Sequence, residues 1–322
     1  MIGKSGKIVI FFYMIFLVIL FLMCSTDLII REPEKEVSQI AVIIEEARDD
    51  NYGNFRKGMD QAAVELNADV RFITLYDRMD EEQQMEMIGR EQQDGADALI
   101  VVPVDEMRVG DALAGKQVSI PTVLLGTGKS VDSAAGTVSV DYRQMGRKAA
   151  EGMIRRMPEG CPVVLLSEPD SLNAVGEDFL EGAEEVLKGS GHDCRRAVPD
   201  GEDGYERVFG MPAEKKAAYL AESPEILSSA AGVLAENPSF ADHIQGLYGR
   251  GNTLAILGGL DEGAITGICI TDEFSRGYFG VYMAVQALEG AESPETLVLD
   301  SYYIEKEDLR DPEYEKMLYP VE

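Results

Sequence analysis

DGADALIVVP, residues 94–103, is the stretch that decides the fold. Its apolar run 98–102 predicts a β-strand, and Pro103 closes that strand because proline has no N–H to donate. A similar run at residues 40–44 predicts a strand buried on both faces. Runs of this kind alternate along the chain with amphipathic stretches. This alternation is typical of parallel strands joined by crossover helices, which predicts an α/β fold.

The amphipathic stretch after the first run has the period of a helix. Its apolar residues lie at helical steps on one stripe: Phe55, Met59, Ala62, Ala63 and Leu66. The predicted strands of a first series are 40–44, 70–75, 98–102, 120–125 and 137–140. A second series begins with a helix at 142–156 and has strands at 163–167, 195–198, 226–229, 244–248 and 264–270, with a helix at 213–221. Two similar series in succession predict two lobes.

The N-terminus predicts a membrane segment. Lys4 and Lys7 precede an uncharged apolar run, residues 8–26, which is about long enough to cross a bilayer and is apolar on every face. The lysines would stay in the cytoplasm, which places the rest of the chain outside the cell. We therefore expect a membrane anchor or signal segment at 1–30 and a linker at 31–39. Cys24 resembles a bacterial lipoprotein site, but the bulky Met23 precedes it, so we favour a retained helix over lipidation or a cleaved signal peptide.

Composition excludes several classes of function. The 322 residues include 58 acidic and 29 basic residues, a net charge of -29, which repels nucleic acid and suits a neutral or cationic ligand. Two histidines and four cysteines without metal-ligand spacing predict neither a zinc nor an iron site, and no cofactor is expected. No nucleophile elbow or phosphate-binding loop is present, so we do not expect an enzyme. A disulfide between Cys161 and Cys194 remains an open alternative.

Several segments together resemble one known family. Residues 94–103 and 120–123, the stretch 138–142 with Gly146, and the stretch 260–272 with Gly277 resemble the ribose and galactose type (type 1) of periplasmic binding proteins. That fold is shared with the ligand-binding lobes of lactose-repressor-like regulators. The resemblance implies two doubly wound Rossmann-like lobes with parallel sheets, joined by a multi-strand hinge. It implies a first lobe at 40–141 completed by about 274–293, and a second at 142–272 completed by about 294–322.

The resemblance also implies a ligand cleft between the lobes at the strand ends. The candidate ligand-binding residues follow predicted strands or mark the lobe crossings: Asn51, Tyr52, Thr127, Asp141, Ser171, Asn173, Tyr248, Thr271 and Asp272. Amide and carboxylate groups can form hydrogen bonds with the hydroxyl groups of a ligand, while an aromatic ring packs against its C–H surface. The alternative for the Asn and Asp residues is helix capping.

The chain departs from sugar binders of the family at three places. An Asp-Arg pair is expected after the fourth strand, where residues 126–128 read GTG, and an Arg is expected in the helix after Asn173. An Asp is expected after the strand predicted at 226–229, where Ala230 stands. These departures put a pentose or hexose ligand in doubt, because Arg and Asp groups grip sugar hydroxyls strongly.

The expected function is that of an extracytoplasmic solute-binding protein. It would capture a small polar ligand, a sugar or a related metabolite, for an ABC-type transporter or a membrane sensor. One alternative is an interaction module that keeps the fold without a ligand pocket. The other alternative is an extracytoplasmic enzyme.

Overall fold

The structure, a computed structural model, describes residues 4–25, 37–126, 131–168, 174–201, 203–210, 216–290 and 295–319. The chain divides into two units, residues 1–37 and residues 38–322.

The first unit contains one helix, α1 (Lys4–Ser25), among its described residues. The large apolar side chains from Ile8 to Met23 are exposed, from 39% at Ile15 to 70% at Phe21. A search of the described residues for a helix both long enough and apolar enough to cross a membrane finds none. A membrane-spanning role for α1 therefore stays a prediction.

The described residues of the second unit form two six-stranded sheets. The first half of the unit alternates strands and helices: β1 (Ser38–Ile43), α2 (Gly53–Leu66), β2 (Ala68–Ile73), α3 (Glu81–Gln93), β3 (Ala98–Val101), α4 (Glu106–Ala114), β4 (Thr122–Gly126) and β5 (Gly136–Val140). Residues 40–43 of β1 are buried on both faces, as the apolar run 40–44 predicts, and so are β3 and β4.

A second series follows in the same style. Its elements are α5 (Tyr142–Arg156), β6 (Val163–Leu166), α6 (Ala174–Gly189), β7 (Cys194–Ala197), α7 (Gly204–Phe209), β8 (Ala217–Ala221), α8 (Pro224–Glu236), β9 (Ile244–Arg250), α9 (Leu254–Glu262), β10 (Gly267–Thr271), α10 (Glu273–Leu288), β11 (Glu295–Leu299), β12 (Ser301–Ile304) and α11 (Pro312–Leu318). Short 3-10 turns lie at Pro238–Asp242 and Lys306–Arg310.

The order of the strands defines two lobes, each a sheet with the helices packed on it. The first sheet has the order β11-β5-β4-β3-β1-β2, and the second has the order β12-β10-β9-β8-β6-β7. Every pairing is parallel except that of β12 with β10. Each sheet is covered on both faces by an apolar core. The predicted α/β class is confirmed, with two sheets that are largely parallel and an antiparallel strand, β12, in the second.

In the described part of the chain, the backbone passes between the lobes three times, after β5, after β10 and after β11. α10 packs on β3, β4 and β5 and so completes the first lobe. β11 also lies in the first sheet, where Glu295 pairs with Gly136. The family resemblance implies that the second lobe is completed by about 294–322, whereas Glu295–Leu299 pair in the first sheet, so the last crossing lies about five residues later than expected.

Each lobe contains a pair of helices whose backbones touch, α2 with α10 in the first lobe and α5 with α6 in the second. A Cβ atom at Gly58 of α2 would collide with the carbonyl oxygen of Phe274, and one at Gly277 of α10 would collide with that of Phe55. In the second lobe, Gly146 of α5 and Gly182 of α6 make the equivalent contacts, with the carbonyl oxygens of Phe179 and Arg143. Glycine allows the backbones of each pair to touch.

The sequence prediction fails locally around residues 213–229. The helix predicted at 213–221 contains β8, and the strand predicted at 226–229 lies inside α8. All five residues of β8 are buried, so an uninterrupted apolar run forms a central strand here. Ser223 accepts a hydrogen bond from the N–H of Ile226, and Pro224 occupies the first turn, which starts α8.

The cysteines do not support the proposed bridge. Among the described residues, Cys161, Cys194 and Cys269 form no disulfide. The Sγ atom of Cys161 lies 3.5 Å from the carbonyl oxygen of Lys216, and that of Cys194 lies 3.8 Å from the carbonyl oxygen of His192.

Candidate functional site

A cavity of about 350 Å³ lies between the two lobes, lined by described residues from both. The first lobe contributes the segments after β1 and β3, and the second contributes the segment after β9 and the start of α8. The carboxyl ends of parallel strands meet at one edge of a sheet, which is where open α/β sheets bind ligands. The position of the cavity thus follows from the topology.

Arg276, on α10, lies among buried groups at the cavity. Its side chain is 9% exposed, and it donates to the carbonyl oxygen of Leu125 at 3.2 Å and pairs with Glu273 at 3.3 Å. Tyr52 donates its hydroxyl to Glu45 at 2.6 Å. Burial raises the pKa of the Glu45 carboxyl against the lowering effects of the Tyr52 hydroxyl and the Arg276 charge. These residues give the cavity a polar, desolvated wall.

A second group of charges joins the lobes, and we call it the Arg78 clasp: Arg78, Glu46, Glu168 and Glu225. Arg78 follows β2 and holds both oxygens of Glu46 through its Nε atom, at 2.8 Å each. Its Nη1 atom donates to Glu168 at 2.7 Å, and its Nη2 atom lies 3.7 Å from Glu225. Glu168 and Glu225 belong to the second lobe, so one guanidinium group bridges the cleft.

Asn51 strengthens the same connection, because its side-chain amide donates to Glu225 across the cleft. Burial raises the pKa of Glu46 to about 7, against the hydrogen bond from Arg78. The clasp therefore contains a carboxyl group that titrates near neutral pH.

Arg250 at the end of β9 supplies a third guanidinium group. Its Cζ atom lies 5.3 Å from the ring centroid of Tyr142, and its Nε atom donates to the carbonyl oxygen of Glu222 at 2.6 Å. Glu222 directly follows β8 and is fully buried, with one carboxylate oxygen accepting from the N–H of Glu168 at 2.7 Å. An acidic residue thus follows the true strand, at Glu222, but the cavity lining among the described residues does not include it.

Three of the predicted ligand residues line the cavity: Asn51, Tyr52 and Thr271. Thr271 donates to the carbonyl oxygen of Asp300 at 3.1 Å. Thr127, Ser171 and Asn173 lie outside the described residues.

The other three predicted residues have structural positions. Asp141 and Asp272 accept hydrogen bonds from the N–H groups of Gln144 and Ser275, so each caps the helix that follows a lobe crossing. Tyr248 is 1% exposed in the apolar core of the second lobe. Among the described residues, the cavity lining does not include these three.

Sequence reasoning missed the charged lining residues Glu45, Glu46, Arg78, Arg250 and Arg276. Glu45 and Glu46 directly follow the predicted strand 40–44, which places them at the ligand-binding edge of the sheet. Because acidic residues are abundant in this chain, that position alone did not distinguish them. Arg250 is the last residue of β9, and the polar end of an apolar run could have identified it. Arg276 lies inside a helix, where nothing local distinguishes it.

Among the described residues, two lobes joined by three crossings, with a cavity of polar and apolar lining between their strand ends, define a two-lobed binding protein. Residues 40–292 match the family described as the periplasmic binding protein domain. The chain belongs to this family, and the resemblance inferred from the sequence is confirmed. Among curated proteins, none matches the chain.

Solved structures share the fold at low identity. An ABC transporter solute-binding protein from Bacillus halodurans with bound myo-inositol has 20% identity and a TM-score of 0.75, covering 88% of this chain and 99% of its own. A carbohydrate transporter solute-binding protein from Agrobacterium radiobacter, in complex with D-arabinose, has 19% identity and a TM-score of 0.76, covering 88% and 100%. A chain of the complex between the TorS sensor domain and TorT has 20% identity and a TM-score of 0.72, covering 88% and 98%.

Proposed function

We propose that the protein is a solute-binding protein, which captures a small polar ligand between its lobes and releases it without chemical change. The observation that carries this proposal is the cavity of about 350 Å³, lined from both lobes. Such a volume suits a small molecule. Closure of two lobes around a ligand is a hinge motion, and three chain crossings offer the hinge.

The chemistry of the lining supports a ligand that has hydroxyl groups, a sugar or a related metabolite. Asn51, Thr271 and Arg276 offer polar groups, and Tyr52 and Tyr142 offer aromatic surface. Three arginines line the cavity, so the absence of arginine at the family's usual positions does not leave the site without guanidinium groups. Two similar structures contain bound myo-inositol and D-arabinose, which supports the same class of ligand.

The cavity also distinguishes a ligand-binding protein from an interaction module that keeps the fold without a ligand pocket. An interaction module that had lost its ligand site would need no open space between the lobes. Here the described residues leave a cavity, which favours ligand binding.

We propose a membrane transporter of the ABC type or a membrane sensor as the partner that reads the bound state. Similar structures include solute-binding proteins of transporters and a complex with a sensor domain. Pull-down from the membrane fraction with this protein as bait, with and without the ligand, distinguishes the two. The proteins recovered are the subunits of a transporter in one case and a sensor in the other.

We propose an extracytoplasmic location in which α1 holds the protein at the membrane. The exposed apolar side chains from Ile8 to Met23 support this anchor. Cell fractionation should place the full chain with the membrane and residues 38–322 in the soluble fraction. The Cys24→Ser variant should stay with the membrane, since a retained helix needs no lipid. Full-length protein in the soluble fraction would contradict the anchor.

Ligand binding is tested on the soluble portion. Native mass spectrometry should show a small molecule that co-purifies, and a metabolite panel should contain compounds that raise the thermal midpoint. A ligand at about 100 times its Kd stabilises the folded state by about 2.7 kcal/mol. A broad panel that gives no shift at millimolar concentration contradicts the proposed function.

A further inference from the structure

Acidic residues outnumber basic residues in the lining of the cavity. Among the described lining residues, seven carry a carboxylate and three carry a guanidinium group, while lysine and histidine are absent. Glu45 and Glu46 come from the first lobe, and Glu225 comes from the second. Closure of the lobes brings these negative charges together in a space with little water, where charge interactions are strong.

Each of the three guanidinium groups already makes contacts within the protein, although the Nε atom of Arg276 has no hydrogen-bond partner among the described residues. Arg78 serves three carboxylates of the clasp, and Arg276 pairs with Glu273 at 3.3 Å. Arg250 donates to the carbonyl oxygen of Glu222 and covers the ring of Tyr142. An anionic ligand would compete with existing contacts at Arg78 and Arg250, whereas the Nε–H of Arg276, which has no hydrogen-bond partner among the described residues, is buried.

Three of the helices that begin at the cavity are likewise capped from within. The side chains of Asp105, Thr253 and Asp272 accept hydrogen bonds from the first turns of α4, α9 and α10. The N–H groups they occupy would otherwise attract an anion. These caps occupy the first turns of those three helices, although α2, which begins after the lining residue Tyr52, has no side-chain cap.

Two of the carboxyl groups, Glu45 and Glu225, accept their side-chain hydrogen bonds from neutral groups. Glu45 receives a hydrogen bond from the neutral hydroxyl of Tyr52. Glu225 receives one from the neutral amide of Asn51 and lies 3.7 Å from an arginine that it shares with Glu46 and Glu168. Burial raises the pKa values of Glu45 and Glu46, and the charge of Glu225 raises both further. A cation placed among Glu45, Glu46 and Glu225 would relieve this repulsion.

We propose that the ligand carries an ammonium group, which lies between Glu45 of the first lobe and Glu225 of the second, together with a neutral hydroxylated part. The ligand class is that of amino sugars and hydroxylated amines. This inference rests on the proposed function, since it specifies the ligand of the same cavity. Closing on a cation neutralises the carboxylates of both lobes, so the charge of the ligand contributes to closure.

The test is a panel built as matched sets, each with a neutral, an amino and a carboxylate member, such as D-glucose, D-glucosamine and D-glucuronate. Thermal shift and calorimetry at pH 6.5 on the soluble portion rank the members. We expect the amino members of the sets to bind at least about tenfold more tightly than the neutral ones, equivalent to about 1.4 kcal/mol. Their affinity should fall from low to high salt, because salt screens charge interactions.

Two variants on one helix connect the preference to the cavity. Glu225→Gln keeps an oxygen for Asn51 but removes the charge, and it should weaken the amino ligand at least about tenfold. Glu236→Gln at the exposed end of α8 should leave the affinity within about twofold. Thermal midpoints without ligand verify that both variants fold.

Each outcome has one meaning. Tight binding of neutral members without a preference for the amine overturns this inference and leaves the proposed function in place. An amine preference that Glu225→Gln does not change also overturns it, because the ammonium group then binds elsewhere. The absence of any hit across the whole panel contradicts the proposed function itself.

Discussion

At the scale of single residues, Glu46 is the clearest example of opposing effects at the site. Its side chain is 13% exposed and accepts two hydrogen bonds from Arg78, which favours the ionised form. Burial near Glu45 and Glu225 favours the neutral form and raises the pKa to about 7. The folded protein therefore binds more protons at Glu46 than the unfolded chain does between about pH 4.5 and 7.

This shift predicts a pH dependence of stability. A carboxyl group with a raised pKa contributes stability below its unfolded pKa, and that contribution is lost as the pH rises through the folded pKa. The stability of the wild type minus that of Glu46→Gln should thus fall by about 1–3 kcal/mol between about pH 4.5 and 8. Urea unfolding of both proteins across this range measures the difference.

The matched control is Glu86→Gln, an exposed carboxylate on α3. Its difference from the wild type should not change over the same pH range. If the Glu46→Gln difference is also constant with pH, then Glu46 is ionised throughout and the clasp holds it charged.

At the scale of elements, the two helix pairs, α2 with α10 and α5 with α6, have the same residue spacings in the sequence. Phe55 and Gly58 are spaced as Phe179 and Gly182 are, and Asp141 and Gly146 are spaced as Asp272 and Gly277 are. α5 begins and ends where the sequence predicted, at 142 and 156, because Asp141 caps it and the apolar stripe is regular. The repeated spacing is a sequence signal of the duplication.

Other elements could not be predicted locally. In β8 and α8, alanine and leucine fit either structure, and the neighbouring strands decided the outcome by burying residues 217–221. Asn51 and Tyr52 were predictable at the cavity because they follow the first strand. Arg276 was not, because it reaches the cavity only after α10 returns to the first lobe.

The helix contacts give a prediction for substitution. Gly58→Ala should destabilise the protein by about 1–3 kcal/mol, since the added methyl group would press on the backbone of α10. Gly232→Ala is the control, because a Cβ atom there meets nothing within 4 Å. It should stabilise α8 by about 0.5–1 kcal/mol. Thermal or urea unfolding measures both, and equal effects would show that α2 and α10 can move apart without cost.

At the scale of the whole molecule, the Arg78 clasp links the relative position of the lobes to charge. Removal of the guanidinium group leaves Glu46, Glu168 and Glu225 facing one another without a cation. Like charges at this range repel, so the lobes should separate. A hinge with three crossings allows such a movement without unfolding either core.

Arg78→Ala should therefore open the cleft in the absence of ligand. Small-angle X-ray scattering should show a larger radius of gyration than for the wild type, and high salt should reduce the difference. Arg48→Ala is the control, because its partner Asp50 is in the same exposed loop. An unchanged radius for Arg78→Ala means that other contacts, such as that of Asn54 with the carbonyl oxygen of Leu318, hold the lobes.

The return of α10 and β11 to the first sheet determines when that lobe can be finished during synthesis. Five of its six strands are translated by residue 140, but the edge beside β5 stays unpaired until Glu295–Leu299 has left the ribosome. An unpaired sheet edge is a site of aggregation and of chaperone binding. The first lobe therefore stays incomplete until the chain has been translated through Leu299, long after the second lobe has begun to form.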